Sequence, residues 1–214
     1  MNLLVTDFDG TLFDDNYENN IKFIEELNNT DLVIATGRNY PNLKQDLKIK
    51  CNYYICNDGG YILDKDCNLL YRNYINKETV ATIYSRILKL GYEDYFIDNI
   101  NEFSKEIIDN ANKISVRIQN NYHDEDTEYL LEGLDNVYAY VSSNWINILS
   151  VESKKSNAIN YITNKKNYNN IYIVGNDIND YDMLKMYNGY LIGNNSDFNT
   201  INNFLELKNI IKND

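Results

Sequence analysis

The chain has 214 residues, enough for one large domain or for one medium domain with a small insert. Its hydrophobic content of 43% and aromatic content of 13% belong to a globular protein, not a disordered one. A net charge of −12 excludes nonspecific binding to nucleic acid or to an anionic membrane, and it means that local cations must draw in any anionic ligand.

Leu3 to Thr6 is an apolar run that reads as a buried strand. The pentapeptide Asp7-Phe8-Asp9-Gly10-Thr11 follows it and sets two carboxylates two residues apart at the carboxyl end of that strand. In an open α/β sheet this edge binds ligands. Two anions held so close repel unless a cation sits between them, and oxygen ligands of this kind suit Mg²⁺. One carboxylate can then attack an electrophile while the other moves a proton.

Asn20 to Leu27 carries Ile21, Phe23, Ile24 and Leu27 at helical spacing. Leu32 to Ala35 is a second buried strand, Pro41 suits the first turn of the next helix, and Tyr53 to Cys56 is a third strand. Short strands separated by helices predict βαβ units and a parallel sheet. After Asn57-Asp58-Gly59-Gly60 the texture changes. Tyr61 to Leu63 and Leu69 to Tyr71 read as a hairpin, Glu78 to Leu90 as an amphipathic helix ending at Gly91, and Tyr95 to Ile97 as a short strand. Lys113 to Gln119 alternates like a half-buried strand, Asp124 to Leu134 is a helix started near His123, and two more strands cover 137–141 and 145–149. The alternating pattern then resumes with a helix at 157–163, a strand at 171–174, a helix from Tyr181 and a strand at 190–192. The tail from Asn199 to Ile211 is expected to be helical.

Cys51, Cys56 and Cys67 form no paired framework, and with one histidine a His/Cys zinc site is not expected. The single His123 also removes Ser-His-Asp and Cys-His catalysis. These thiols suit a reducing cytosol, so a cytoplasmic location is expected. There is no basic-then-apolar N-terminal signal and no apolar run near ~20 residues.

Asp7 to Leu12 resembles the first signature, Asp-x-Asp-Gly-Thr-Leu, of the haloacid dehalogenase superfamily of aspartate-nucleophile phosphatases. Thr36-Gly37-Arg38, at the end of the second strand, resembles the second signature and in particular the sugar-phosphatase branch called Cof-like. Lys155-Ser156-Asn157-Ala158-Ile159 is similar to the pattern Lys-Gly-x-Ala-Leu, with Lys154 as the candidate lysine if the register is off by one. Gly175 to Asp180, continued by Met183-Leu184, resembles Gly-Asp-x-x-Asn-Asp, but Asn176 stands where the family has a metal-ligating Asp. Asn57 to Gly60 and Ile192-Gly193-Asn194 are similar to the family's Asn-Gly-Ala and Met-Gly-Asn segments.

The resemblance implies an α/β fold, with a Rossmann-like parallel-sheet core at 1–59 plus 150–214 and an inserted α+β cap domain of the second type at 60–149. It implies Mg²⁺-dependent hydrolysis of a small phosphorylated metabolite, such as a sugar phosphate, through an aspartyl phosphate. Asp7 is then the nucleophile, Asp9 the acid and base, and Thr36 and Lys155 hold the phosphoryl group. Gly10, Thr11, Gly37, Arg38, Asn57 and Asn179 are expected around the substrate, and Asp7, Asp9, Asn176, Asp177 and Asp180 around the metal. Arg117, Tyr122 and Trp145 are candidates for specificity in the insert. Two alternatives stay open: a phosphotransferase of the same superfamily, and a non-catalytic phospholigand-binding module suggested by Asn176.

Overall fold

The structure, a computed structural model, describes residues 1–119 and 122–211. It divides into two compact units, Met1–Tyr71 with Lys154–Asp214, and the intervening Arg72–Ser153. Residues 212–214, expected at the end of the core, lie outside the described residues.

The chain begins with β1 (Asn2–Thr6), α1 (Tyr17–Glu25), β2 (Thr30–Ala35), α2 (Tyr40–Asp46), β3 (Tyr53–Cys56), β4 (Tyr61–Asp64) and β5 (Leu69–Arg72). The insert supplies α3 (Lys77–Leu90), β6 (Tyr95–Asp98), β7 (Phe103–Ser104), β8 (Lys113–Arg117), α4 (Asp124–Leu131), β9 (Val137–Ser142) and β10 (Trp145–Ser150). The first unit is completed by α5 (Lys155–Thr163), β11 (Ile171–Gly175), α6 (Tyr181–Tyr187), β12 (Tyr190–Ile192), β13 (Asn199–Ile201) and α7 (Leu207–Ile211).

The first unit holds one sheet in the order β13-β12-β11-β1-β2-β3-β4-β5, parallel from β13 to β3. Leu3, Leu4 and Val5 are fully buried, although successive strand residues face opposite sides of the sheet. Both faces are therefore covered, and that is why these strands read as continuous apolar runs and not as alternation. On one face Leu3, Val5, Val33, Ile55 and Ile173 pack with Ala158, Ile159 and Ile162 of α5 and with Met183 and Leu184 of α6.

Two expectations are corrected here. The hairpin β4–β5, expected at the start of the insert, extends the core sheet, with β4 antiparallel to β3 through Tyr53↔Asp64 and Cys56↔Tyr61. An alternating hairpin carries no mark of which sheet it joins; burial of Tyr61, Ile62 and Leu63 on the edge of β3 decides it. The tail is not one helix. Residues 199–201 pair with β12, a 3₁₀ turn covers Phe204–Glu206, and only Leu207–Ile211 is α-helical.

The second unit is an antiparallel sheet, β7-β6-β8-β10-β9, with α3 and α4. Its core joins Val80, Ile83 and Ile87 of α3 to Ile97, Ile114, Val116, Ile146 and Ile148 of the sheet, and Tyr122 packs against it. Arg117 and Trp145 are cross-strand neighbours on the other face, the guanidinium 5.8 Å from the indole centroid. Asn76 caps α3 by accepting from Thr79 N–H at 2.8 Å. Among the described residues no helix is long and apolar enough to cross a membrane.

Candidate active site

β1 is central: β2 and β3 lie on one side of it, β11 and β12 on the other. The loops after β1 and β11 therefore meet where an open α/β sheet has its ligand crevice. Asp7 N–H donates to Val174 carbonyl at 2.9 Å, which continues the β1–β11 pairing up to the first candidate residue. Beyond it Phe13 N–H closes a turn on Phe8 carbonyl at 2.8 Å, and the two rings stack with centroids 5.0 Å apart. Phe8 is fully buried and anchors the loop between the two carboxylates.

Lys155, in the first turn of α5, is buried to its tip. Its Nζ donates to Asp7 Oδ1 at 2.7 Å and to Asp180 Oδ1 at 2.6 Å, so Lys155 is a lysine that meets Asp7. Burial alone would lower the lysine's pKa, but the Asp180 and Asp7 charges outweigh it and hold the ammonium well above the ordinary lysine range. Burial, reinforced by Asp180, pushes Asp7 up to about 7 against the opposing pull of Lys155. Burial also raises Asp180 despite the same lysine. The other oxygen of Asp180 accepts from the N–H groups of Asn176 and Asp177 at 2.9 and 3.1 Å. Gly175 makes room for this, because a Cβ there would fall 2.5 Å from the Asp180 carboxylate.

Thr11, fully buried, donates through Oγ1 to the Asn176 side chain at 3.0 Å. The same end of that amide faces the Asp9 carbonyl and Asp7 Oδ2; with its nitrogen turned there, the separations are 3.1 and 3.3 Å. Gly10, at φ +75°, permits this approach, because a Cβ on it would lie 2.5 Å from the amide. With its oxygen turned in, Asn176 forms a cluster of oxygen donors with Asp7 Oδ2 and the Asp9 carbonyl. Adjacent ligands of an octahedral Mg²⁺ with bonds near 2.1 Å lie roughly 3.0 Å apart, and the two separations from the amide, 3.1 and 3.3 Å, are close to that. One carboxylate, one peptide carbonyl and one amide make up that set, and among the described residues no group of three or more His, Cys, Asp or Glu side chains could hold a metal. Asp177 and Asp180, expected as ligands, are engaged otherwise: Asp177 accepts from Ile178 N–H at 2.7 Å, and Asp180 braces Lys155.

Thr36 is fully buried at the end of β2, and its Oγ1 accepts from Arg38 N–H at 3.1 Å across Gly37. Arg38 grips the Asp9 carboxylate with Nε at 2.8 Å and Nη2 at 2.5 Å, holds Asp46 with Nη1 at 2.6 Å, and lies over the Phe8 ring at 5.2 Å. Asp9 thus gives its carbonyl to the Asn176 cluster and its side chain to Arg38. Asn57, buried at φ +47°, has no hydrogen-bond partner for either amide atom among the described residues. Buried amides are normally paired, so this one stands out among the polar groups of the site. Asn179 Nδ2 donates to Asp58 Oδ1 at 2.8 Å. Asp58 is the residue that motif reading passed over; it is buried beside Asn57, and its charge acts on Lys155. Its one sequence signal is the Asn-Asp-Gly-Gly turn itself.

A sequence profile of the haloacid dehalogenase-like hydrolases matches residues 4–97 and 86–199. Among solved structures, a sugar phosphatase of haloacid dehalogenase subclass IIB superposes with a TM-score of 0.74 at 18% identity, covering 89% of this chain and 87% of the other. A haloacid dehalogenase-like hydrolase from Bacillus subtilis gives 0.73 at 17% identity, with 89% of each chain covered. Another from Bacteroides thetaiotaomicron gives 0.73 at 16%, covering 89% and 87%. At these identities the likeness is one of fold. No curated protein matches the chain.

Two outcomes follow from this geometry. Gly175→Ala drives a methyl into the Asp180 carboxylate and should cost about 1–3 kcal/mol of stability, read by denaturant unfolding. An unchanged midpoint would mean that Asp180 does not sit under this strand end. Asp7 titrates near 7 in the folded protein against an ordinary 3.8, so its contribution to stability is full below the lower value and is lost as pH rises through the upper one. Asp7→Asn lacks that loss. In chelator, its melting temperature relative to wild type should climb between about pH 4 and pH 7, by roughly 2–4 °C for each kcal/mol involved. A difference that stays flat with pH would count against a raised Asp7.

Proposed function

The chain belongs to the haloacid dehalogenase-like hydrolase family, and on that footing we propose that it is a Mg²⁺-dependent phosphomonoester hydrolase of the Cof-like branch with a type-two cap. Its substrate is a small phosphorylated metabolite, a sugar phosphate being the class that the Thr36-Gly37-Arg38 resemblance favours. The observation that carries the reading is Asp7, the one side chain held by Lys155 through one oxygen while its other oxygen faces the Asn176 cluster.

In this reading an Asp7 oxygen forms a bond to phosphorus as the bond from phosphorus to the alcohol oxygen breaks, giving an aspartyl phosphate. Asp9 delivers a proton to the departing alcohol. It then takes one from the water whose oxygen attacks phosphorus, and the bond to Asp7 breaks to release phosphate. Lys155 and the Thr36 hydroxyl sit at the same sheet edge and hold the phosphoryl oxygens. Asn57, with both amide atoms unpartnered, supplies a contact to the substrate. Mg²⁺ held by Asp7, the Asp9 carbonyl and Asn176 would supply positive charge against an anionic nucleophile and an anionic substrate. The free thiols of Cys51, Cys56 and Cys67 fit a cytoplasmic protein.

A second reading, a phospholigand-binding module without turnover, draws on Asn176, which brings no charge to the cation. Hydrolysis of p-nitrophenyl phosphate and of a panel of hexose phosphates with Mg²⁺ decides between them. Wild type should turn over, Asp7→Asn should lose about a thousandfold or more in kcat, and Asp9→Asn about 10²–10⁴-fold. Turnover that survives Asp7→Asn sinks the nucleophile. Turnover absent from wild type and created by Asn176→Asp decides for the binding module.

A further inference from the structure

We propose that the Asn176 amide is a two-position latch: its nitrogen ties the Asp7 carboxylate to the Asp9 carbonyl in the metal-free protein, and its oxygen turns in to ligate a divalent cation. The inference rests on the reading of this cluster as the cation site. Lys155 satisfies only one oxygen of Asp7, the one 2.7 Å away. Once Asp7 is ionised, its other oxygen and the Asp9 carbonyl are acceptors with no proton of their own. Turned with its nitrogen toward them, the amide donates within 3.3 Å of Asp7 Oδ2, 3.1 Å of the Asp9 carbonyl and 3.0 Å of Thr11 Oγ1. With its oxygen there instead, only Thr11 can donate to it, and the other two neighbours are left facing a third acceptor. A cation among the three reverses that preference.

An Asp at 176 could play only one of these parts. Its carboxylate would face Asp7 and the Asp9 carbonyl without a proton to share, and would depend on a cation to stay. The neutral amide exchanges affinity for independence. The metal-free site is already hydrogen-bonded, and a cation must displace those bonds while gaining one negative charge fewer from its ligands.

Manganese titration calorimetry, together with thermal unfolding in EDTA and in saturating Mn²⁺, all at about pH 8 so that Asp7 is ionised, on wild type, Asn176→Asp and Asn176→Ala tests this without reading turnover. Asn176→Asp should bind Mn²⁺ about tenfold tighter or more, as one added ligand charge implies. It should melt below wild type in EDTA and recover when Mn²⁺ is added. Asn176→Ala should also melt lower in EDTA, through loss of the donor, and should not recover. If Asn176→Asp fails to fold, the alanine variant in EDTA carries the test. Either variant melting at or above wild type in EDTA overturns the latch, as does unchanged Mn²⁺ affinity in Asn176→Asp. A failed substrate panel would instead count against hydrolysis and leave these melts and titrations unaffected.

Discussion

One buried cation organises the first unit. The Lys155 ammonium has no exposed surface and lies within 2.7 Å of Asp7 and 2.6 Å of Asp180. Taking an ammonium out of water costs several kcal/mol, and only close, well-shaped contacts with opposite charge offset that. Here the balance is lopsided by design: Asp7, Asp180 and Asp58 all act on a single lysine. The cluster carries a deficit of positive charge, and burial first, then the Asp180 charge, pushes Asp7 up to about 7 against the pull of Lys155. A site of this kind favours any added positive charge, whether from a divalent ion or from charge redistributed in a transition state. It also explains why an uncharged residue at 176 is tolerable. Another carboxylate facing Asp7 would deepen the same deficit.

Bringing those groups together is a backbone problem before it is an electrostatic one. At two points the backbone must be approached more closely than side chains ordinarily allow. Gly10 admits the Asn176 amide and Gly175 admits the Asp180 carboxylate, each at a point where a Cβ would come within 2.5 Å. Asp180 then uses its second oxygen to hold the N–H groups of Asn176 and Asp177, so the loop after β11 is shaped by the same residue that braces the lysine. Position 176 is presented by that loop, and its side chain closes against Gly10 and Thr11.

The sequence makes the strands and the four site loops readable because their signals are local. Leu3 to Val5 and Leu32 to Ala35 are apolar on both faces, as only a doubly covered sheet requires, and each chemical motif begins where its strand ends. What could not be read is where a signal of the right kind serves two structures equally. The hairpin at 61–72 alternates correctly for either sheet, and the unpaired edge of β3 claims it. Ile201, Phe204 and Leu207 have the spacing of a helix face, yet the free edge of β12 takes Ile201 into a strand and leaves Phe204 to pack against Phe23 of α1. Side-chain pairs far apart in the chain leave no local trace. Arg38 with Asp9 is 29 residues apart and Asn179 with Asp58 is 121 apart, so Arg38 and Asn179 could be expected only near a ligand, whereas the structure gives each a carboxylate partner.

The Arg38–Asp9 pair constrains the proposed chemistry most. A guanidinium that grips a carboxylate with two nitrogens fixes its position and orientation. Arg38 is itself fixed, by Asp46 through a third nitrogen and by the Phe8 and Phe13 rings beneath it, so Asp9 is held by an arm that does not swing freely. In that grip both Asp9 oxygens accept from Arg38. In the proposed reaction Asp9 must release at least one of these contacts before it can exchange a proton with the leaving alcohol. Asp9 is half exposed, with 51% of its side chain open to solvent, so that release exchanges a partly hydrated ion pair and not a buried one. Parting this pair therefore costs less than parting Lys155 from Asp7, where both groups are buried. The two aspartates of one short motif thus have opposite surroundings. Asp7 is buried against Lys155, whereas Asp9 is solvent-facing and held by Arg38.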